Sequence, residues 1–518
     1  MATKLVKNAV GRMVPTEINN EIAVPFKGVG KYKPEGKKAA PSISSCNDYP
    51  LDGNKQVASL EEALKKSGLK DGMTISTHHH FRNGDLLANM IFDIAKKLGV
   101  KNLRWYPSAS FPCHEHLIQY LEDGTISHIE GSMNGVLGKF CSQGKMSKTA
   151  ILRSHGGRYQ AIQDGEVKVD IAVIGAGTAD SFGNANGVSG PSASGLLGFA
   201  LGDSQYASKV IVVTDNMIPF PCYPWQIQGG NVDYTVLLDK VGIPEKIVSG
   251  TTEVTKSPDR LLIAELTAKF CEEAGLIKDG FSFQAGAGGT SLSIGNFFGD
   301  IMRRKGIKAR FARGGSNKYL VDMLEEGLVE YILDGQTFDL EGVRSMRENP
   351  NHVDTSPFTS YNYHGKGNFA GMVDIAILGA TEVDVNFNAN VVTHSDGYLL
   401  HGIGGWQNCL FSKNVILPIP LFRDRISVIR EEVTTICGPG ELIDIIVTER
   451  GIAINPKRTD LIEKMKGSKL PIKTIQELKA EADAICGPAQ KPVLSDEIVA
   501  AIKWVDGTVI DVVRKVID

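Results

Sequence analysis

The chain has 518 residues, 42% of them hydrophobic and 22% charged, with a formal net charge of −3. That length exceeds one ordinary core and predicts at least two domains, and the balanced charge offers neither a basic excess for nucleic acid nor an acidic block. Apolar runs such as Val415 to Phe422 fall far short of the roughly 20 residues a membrane span needs, Met1 to Pro15 lacks the apolar core of a signal peptide, and the eight cysteines are scattered singly, so free thiols in a reducing, cytoplasmic compartment are expected.

Residues 1–58 are rich in Lys, Pro and Gly without a clear period. They read as an extended N-terminal arm ordered by packing on something else. A first domain is expected over 59–255. It opens on a helix for which Ser59 and Glu62 form a possible capping box. That helix stops at Gly68, and the Asp71-Gly72 turn leads into a strand at Met73 to Ile75. Further along, short apolar runs such as Ile171 to Ile174 and Val210 to Val213 alternate with helical patterns, which is how buried parallel strands read. Val173-Ile174-Gly175-Ala176-Gly177-Thr178-Ala179-Asp180 imitates a dinucleotide fingerprint, but Asp180 stands where its third glycine belongs. Gly175 is therefore read as a strand-end turn.

The boundary is expected near Gly250 to Pro258, with a second domain over 256–518 that opens on Ser257-Pro258, an N-cap residue followed by Pro. This half repeats the first. Lys278-Asp279-Gly280 matches Lys70-Asp71-Gly72 at an offset of 208. Leu320 to Gly327 matches Leu117 to Gly124 at 203, and Val373 to Ala380 matches Val169 to Ala176 at 204. Both copies then carry Asn-Ala-Asn, at 184–186 and 388–390. A period near 200 marks a duplicated domain, since solenoid repeats run roughly 20–50 residues. Each copy is thus expected to be an α/β unit with a largely parallel sheet, whose ligands bind beyond the carboxyl ends of strands.

The loops after strands carry the candidate residues. His78-His79-His80-Phe81-Arg82 follows the first strand. Cationic donors beside a helix start suit an anion, and a structural polar loop is the alternative. Metal chelation is disfavoured, because adjacent histidines on an extended segment face opposite ways. The second copy has Gly286-Ala287-Gly288-Gly289 at the same place, and later Gly402-Ile403-Gly404-Gly405. Both suit close backbone approach to a ligand, although tight turns explain most glycine runs. His155 and Arg158 lie in another glycine setting, for which a solvated loop is the alternative. Asn184, Asn186, Ser395 and Asp396 are read equally as turn residues or ligand contacts.

Ser181 to Gly187, Gly402 to Gly405 and the duplicated halves resemble the CoA-transferase and acetyl-CoA hydrolase superfamily. His78 to Asp85, Ser154 to Arg158, Gln336 to Asp339 and Ser395 to Gly397 resemble, more narrowly, the citrate lyase alpha subunits. The resemblance runs from about residue 55 to the C-terminus. It implies an α/β fold of two CoA-transferase-like domains. It also implies a transferase of citrate fermentation that exchanges acetyl for citrate on an acyl carrier protein thioester and releases acetate. The partners implied are citrate, the acyl carrier protein gamma subunit, the citryl lyase beta subunit and further copies of this chain. The CoA-like prosthetic group belongs to the carrier, so no permanently bound cofactor and no metal are expected. Many superfamily members place a nucleophilic glutamate where this chain reads Arg313-Gly314-Gly315-Ser316-Asn317. Without it, no nucleophile from the enzyme is expected, and direct attack by the citrate carboxylate through a mixed anhydride follows. The substrate-binding candidates are then His78, His79, Arg82, His155, Arg158, Asn184 and Asn186. The oxyanion and thioester candidates are Gly286, Gly288, Gly289, Ser395, Asp396, Gly402, Gly404 and Gly405. The alternative is a CoA-transferase or acyl-CoA hydrolase using free CoA thioesters and another small acid.

Overall fold

The computed structural model describes residues 4–33, 49–247, 253–286 and 288–517. The buried apolar runs become two sheets. In the first, the order is Ile126–Ile129, Leu103–Pro107, Thr74–Thr77, Ile171–Ala176, Lys209–Thr214, Tyr234–Leu237 and Gln56–Val57, all parallel. In the second, Ile332–Thr337, Ala309–Ser316, Phe281–Ala285, Ile375–Ile377, Val415–Pro418 and Ile445–Thr448 repeat six of those places in the same order, again parallel. His352–Asp354 extends one edge, and antiparallel Gly451–Ile454 with Ile472–Lys473 extends the other. The inner strands are buried on both faces, as their unbroken Val, Ile and Ala runs require. The duplicated α/β architecture expected from the repeat is present.

The helix starts follow their side chains. Ser59 Oγ accepts the Glu62 N–H at 3.1 Å, while the Glu62 carboxylate takes the N–H of Ala58 and not that of Ser59. Ser257 stands at the N-cap of the helix Pro258–Glu273, but its side chain makes no capping hydrogen bond there, so Pro258 alone marks that start. Of the expected boundary, Gly250 to Thr252 lie outside the described residues, as do residues 34–48 of the arm. The described part of the arm packs on the chain's last strands. Phe26 N–H donates to Val509 O at 2.9 Å, and Arg12 lies 3.3 Å from the buried Asp511. Those last strands, Leu494–Lys503 and Val509–Val516, form a hairpin that pairs with Ala150–Leu152 of the first half. Among the described residues no helix is long and apolar enough to cross a membrane.

The repeated Asn-Ala-Asn has a structural job in both halves. Beyond Ile171–Ala176 the chain enters a small three-stranded sheet. There the Asp180 carboxylate accepts the N–H groups of Phe182, Gly183, Asn184 and Cys222 at 2.7 to 3.0 Å, and the Asn184 amide at 2.8 Å. In the second half, Asp384 accepts the N–H groups of Asn386 and Asn388, each at 2.9 Å, and the Asn388 amide at 3.0 Å. Asn184 Oδ1 then takes the Gly229 N–H, and Asn388 Oδ1 takes that of Gly440. Asp180, which breaks the dinucleotide fingerprint, is therefore the lock of a turn.

Replacing Asp180 with alanine takes the carboxylate partner from the N–H groups of Phe182, Asn184 and Cys222, while Gly183 keeps the backbone oxygen of residue 180, and is expected to cost about 3 kcal/mol. Urea denaturation would show it as a lower midpoint. A change below about 0.5 kcal/mol would mean that the turn holds without the carboxylate.

Candidate functional site

A cavity of about 600 Å³ opens at the carboxyl ends of the second sheet, where ligands of such sheets bind. Four adjacent strands build its floor. They supply Gln284 to Gly286, then Gly314 and Gly315, then Gly335 and Gln336, and finally Leu378 to Thr381. Leu400 to Trp406 form one wall, and Phe338, Tyr361, His394 and Arg423 fill in the rim. The first half supplies His155 and Phe199, so the cavity lies on the seam between the halves.

Behind that wall the first half stacks rings. His79 lies 5.6 Å from His155 and 4.4 Å from Phe199, centroid to centroid. The His79 tautomer follows from its partners. Gln336 Oε1 can only accept, so Nε2–H donates to it at 3.2 Å, and Nδ1 accepts from the Ser108 hydroxyl at 2.6 Å. Ser108 in turn accepts the His79 backbone N–H. His155 begins the helix His155–Gln163, capped by Ser154, and its backbone N–H donates to Gly404 O at 2.8 Å. Burial, aided by the charge of Arg158, lowers the His155 pKa to about 3. Burial also takes His79 well below the usual value, with His155 and Arg82 adding to the effect. Both rings face the seam as neutral imidazoles.

Arg82 sits beside this stack in a left-handed backbone conformation, φ +52°. Its guanidinium lies 4.7 Å over Phe338, a cavity residue, and 5.4 Å over Phe111. Burial lowers its pKa to about 10, so it stays charged at neutral pH.

The other candidates are placed differently. Arg158 was expected to grip a substrate carboxylate, but its charge is matched inside the first half. Its Nη2 donates to the fully buried Asp203 at 2.5 Å and to Ser76 Oγ at 2.7 Å, and its plane lies 4.0 Å over Tyr106. His78 donates to the same Asp203 oxygen at 2.8 Å. Burial opposes the charge on Asp203, yet Arg158 and His78 outweigh it and hold the carboxyl near 2. His80 donates to Gly175 O, so the three histidines take three separate directions. Asn184 and Asn186 serve the turn: Asn186 Oδ1 accepts from Val188 and Ser189 and its amide donates to Pro224 O. Asp396 closes an exposed turn by accepting the Tyr398 N–H at 3.0 Å, with Ser395 beside it.

Gly286, Gly402, Gly404 and Gly405 line the cavity. Gly288 and Gly289 start the helix Gly289–Lys305 just past it, and Ala287 lies outside the described residues. Gln284, Gln336, Phe199 and Tyr361 line the cavity without having been singled out for it in sequence, and Arg313 lies behind them against Gln284 and Tyr361. Arg313 did stand in the stretch noted for its missing carboxylate. Within that stretch, a Cβ on Gly315 would overlap the Phe338 ring. Among the described residues, no aspartate or glutamate lines the cavity.

The family model described as citrate lyase, alpha subunit (CitF), matches residues 53–516. The citrate lyase alpha chain of Klebsiella pneumoniae is 41% identical over 460 residues, 88% of this chain and 91% of that one. That of Escherichia coli K12 is 39% identical over 464 residues, 89% and 91%. A solved citrate lyase alpha subunit from Streptococcus mutans, in complex with citrate, superposes with a TM-score of 0.94 at 40% identity, covering 99% of this chain and 100% of that one. The malonate decarboxylase alpha subunit of Acinetobacter baumannii, at 16% identity and a TM-score of 0.60 over 85% and 86% of the chains, shares the fold.

With its folded pKa depressed to about 3, His155 should not protonate between pH 8 and 5. Its unfolded form would, near pH 6.5. Acidification below 6.5 therefore favours proton uptake by the unfolded state at this residue, and its contribution to stability falls as pH drops toward 3. Nitrogen shifts of labelled histidine should stay constant for His155 and His79 over pH 8 to 5. A titration near 6.5 assigned to either residue would contradict their burial.

Proposed function

Because the chain belongs to the citrate lyase alpha-subunit family, whose members are transferases, we propose that it exchanges acetyl for citrate on the thioester of an acyl carrier protein by direct attack of the citrate carboxylate. The observation that carries this reading is the seam cavity, which is floored by glycines and carboxamides and has no carboxylate among its described lining residues. A lining without a carboxylate supports transfer without an enzyme carboxylate nucleophile, and the Phe338 ring packed over Gly315 is consistent with it.

In the proposed reaction a citrate carboxylate oxygen bonds to the acetyl carbonyl carbon, and the carbon–sulfur bond breaks. A mixed anhydride and a thiolate result. The thiolate then attacks the citryl carbonyl, and acetate leaves with the bridging oxygen. The product is a citryl thioester for the lyase subunit. Each step moves negative charge between oxygen and sulfur without a net proton transfer. That suits walls of neutral imidazole and backbone amide. Holding two acyl groups together supplies effective molarity. The glycine backbones at Gly286 and at Gly402 to Gly405 are the proposed oxyanion donors, and Arg82 is proposed to hold a non-reacting carboxylate of citrate. The carrier's CoA-like arm would enter the same cavity, and the chain would work within a larger citrate lyase complex.

A single turnover with citrate labelled by oxygen-18 in its carboxylates tests the route. Direct attack places one labelled oxygen in the released acetate, whereas an acyl-enzyme carboxylate intermediate leaves first-turnover acetate unlabelled. Arg82→Ala should raise the citrate requirement at least tenfold, about 1.4 kcal/mol, while the chain stays folded by circular dichroism. Unchanged citrate kinetics in that variant would remove Arg82 from the site.

A further inference from the structure

Arg313 is among the most deeply buried side chains in the protein, at 1% exposure. Three other arginines are buried comparably, and each has a carboxylate: Arg153 has Glu130 and Glu166, Arg158 has Asp203, and Arg430 has Glu382. Arg313 has none among the described residues. Its Nη1 donates to the Gln284 carboxamide oxygen at 2.8 Å, and its plane lies 4.6 Å over the Tyr361 ring. Its Nε and Nη2 make no hydrogen bond of ordinary geometry among the described residues; the neutral Tyr361 hydroxyl and Cys409 thiol are the polar groups beside it, and neither supplies a counter-charge. A buried guanidinium without a counter-charge is strongly disfavoured, so a fold that keeps one has a use for it.

Arg313 does not itself line the cavity, and its unmatched end lies just beneath the floor at Gly335. Nη2 lies 3.8 Å from where a Cβ of Gly335 would be, and Gly335, Gln284 and Tyr361 all line the cavity. A side chain at 335 would lie in van der Waals contact with Nη2, and glycine leaves that space free. Next along the chain, Gln336 presents its own buried amide nitrogen, which also has no partner among the described residues, while its carboxamide oxygen is taken by His79. Two sets of unused donors, one fully charged, therefore border the floor at Gly335 and Gln336. Their geometry suits a planar anion with two oxygens.

We propose that Arg313, with Gln336 beside it, binds one carboxylate of the acid substrate and supplies the counter-charge that the protein itself withholds. This rests on the reading of the site as a citrate transferase. It assigns the second half a cation beneath the cavity floor, in addition to Arg423 at the rim, whose guanidinium donates to Thr381 O and Ala380 O. Thereby it selects for acids with more than one carboxylate, because one must react while others are held.

Thermal unfolding of the full chain, alone and with citrate, tests this against sulfate at equal ionic strength, which controls for general stabilisation by excluded anions. Wild type should gain several degrees from citrate over sulfate. Arg313→Met should unfold no lower than wild type without ligand, since it removes an unmatched charge, and should lose the citrate-specific gain. Arg313→Lys keeps the charge but not the two-pronged geometry. It should raise the KM for citrate at least tenfold and leave that for the carrier thioester unchanged. A citrate-specific gain retained in Arg313→Met overturns the proposal. So does an Arg313→Met that unfolds well below wild type, because a charge the fold relies on is not one held for a ligand. Should wild type gain nothing from citrate beyond sulfate, the transferase reading itself falls, and this inference with it.

Discussion

The site exists because two backbones approach more closely than side chains would allow. At Gly402 a Cβ would run into Ser132, at Gly195 into Thr337, and at Gly156 into the carbonyl of Tyr361 and the amide of Asn408. In each pair the two residues come from opposite halves of the chain. The glycines bring the halves near enough for polar groups to bond across the seam. His155 N–H reaches Gly404 O, Gly156 N–H reaches Asn408 Oδ1 at 3.1 Å, and Leu399 N–H reaches Ser142 Oγ at 2.9 Å. These bonds hold the Leu399 to Asn408 segment, which is one wall of the cavity, against the helix that carries His155. A methyl group at any of the three glycines would collide with the opposite half of the chain.

Duplication explains two sheets that share six strand places in the same order, and the 600 Å³ cavity lies on the second of them. After the first strand of each unit the chain reaches the same place, and the two halves use it in opposite ways. In the first half, His78, Ser76, Arg158 and Asp203 fill it with a dry, charge-matched network. In the second, Gly286 leaves it open. The charged loop that looked like the ligand contact in sequence is, in its larger part, packing. His79 and Arg82 are the members that turn outward to the seam. The rest of the loop gives the wall its rigidity.

The legible part of the sequence was the part that repeats. Buried parallel strands show themselves as apolar runs, and the matched Asn-Ala-Asn gave the register of the two copies before any coordinates. What could not be read was which partner each charge would meet. Arg158 is answered by Asp203, which sits in a helix with no motif around it, and by Tyr106, 52 residues earlier in the chain. Neither pairing leaves a local signature. Arg313 was visible only as a residue near a missing glutamate, because an arginine inside a strand looks the same whether or not a carboxylate faces it. The crossing of the last two strands to the first half was hidden for a similar reason: their alternation marks a strand but not its neighbour.

The electrostatics of the cavity and the proposed chemistry constrain each other. A carboxylate serves as a nucleophile only if its charge is not fully neutralised, so a cation or a proton donor on the attacking oxygen would slow the first step. The two imidazoles nearest the seam are held neutral by burial, and no carboxylate among the described lining residues repels an acid substrate. The cations at the border, Arg82 over Phe338 and Arg313 under Tyr361, are both pressed against aromatic faces, so their reach is limited. In the proposed reading, that arrangement holds the ends of a polyacid and leaves one carboxylate bare in the middle. A monoacid would have to choose between being held and reacting, and the selectivity of the site would follow from the same burial that keeps its histidines neutral.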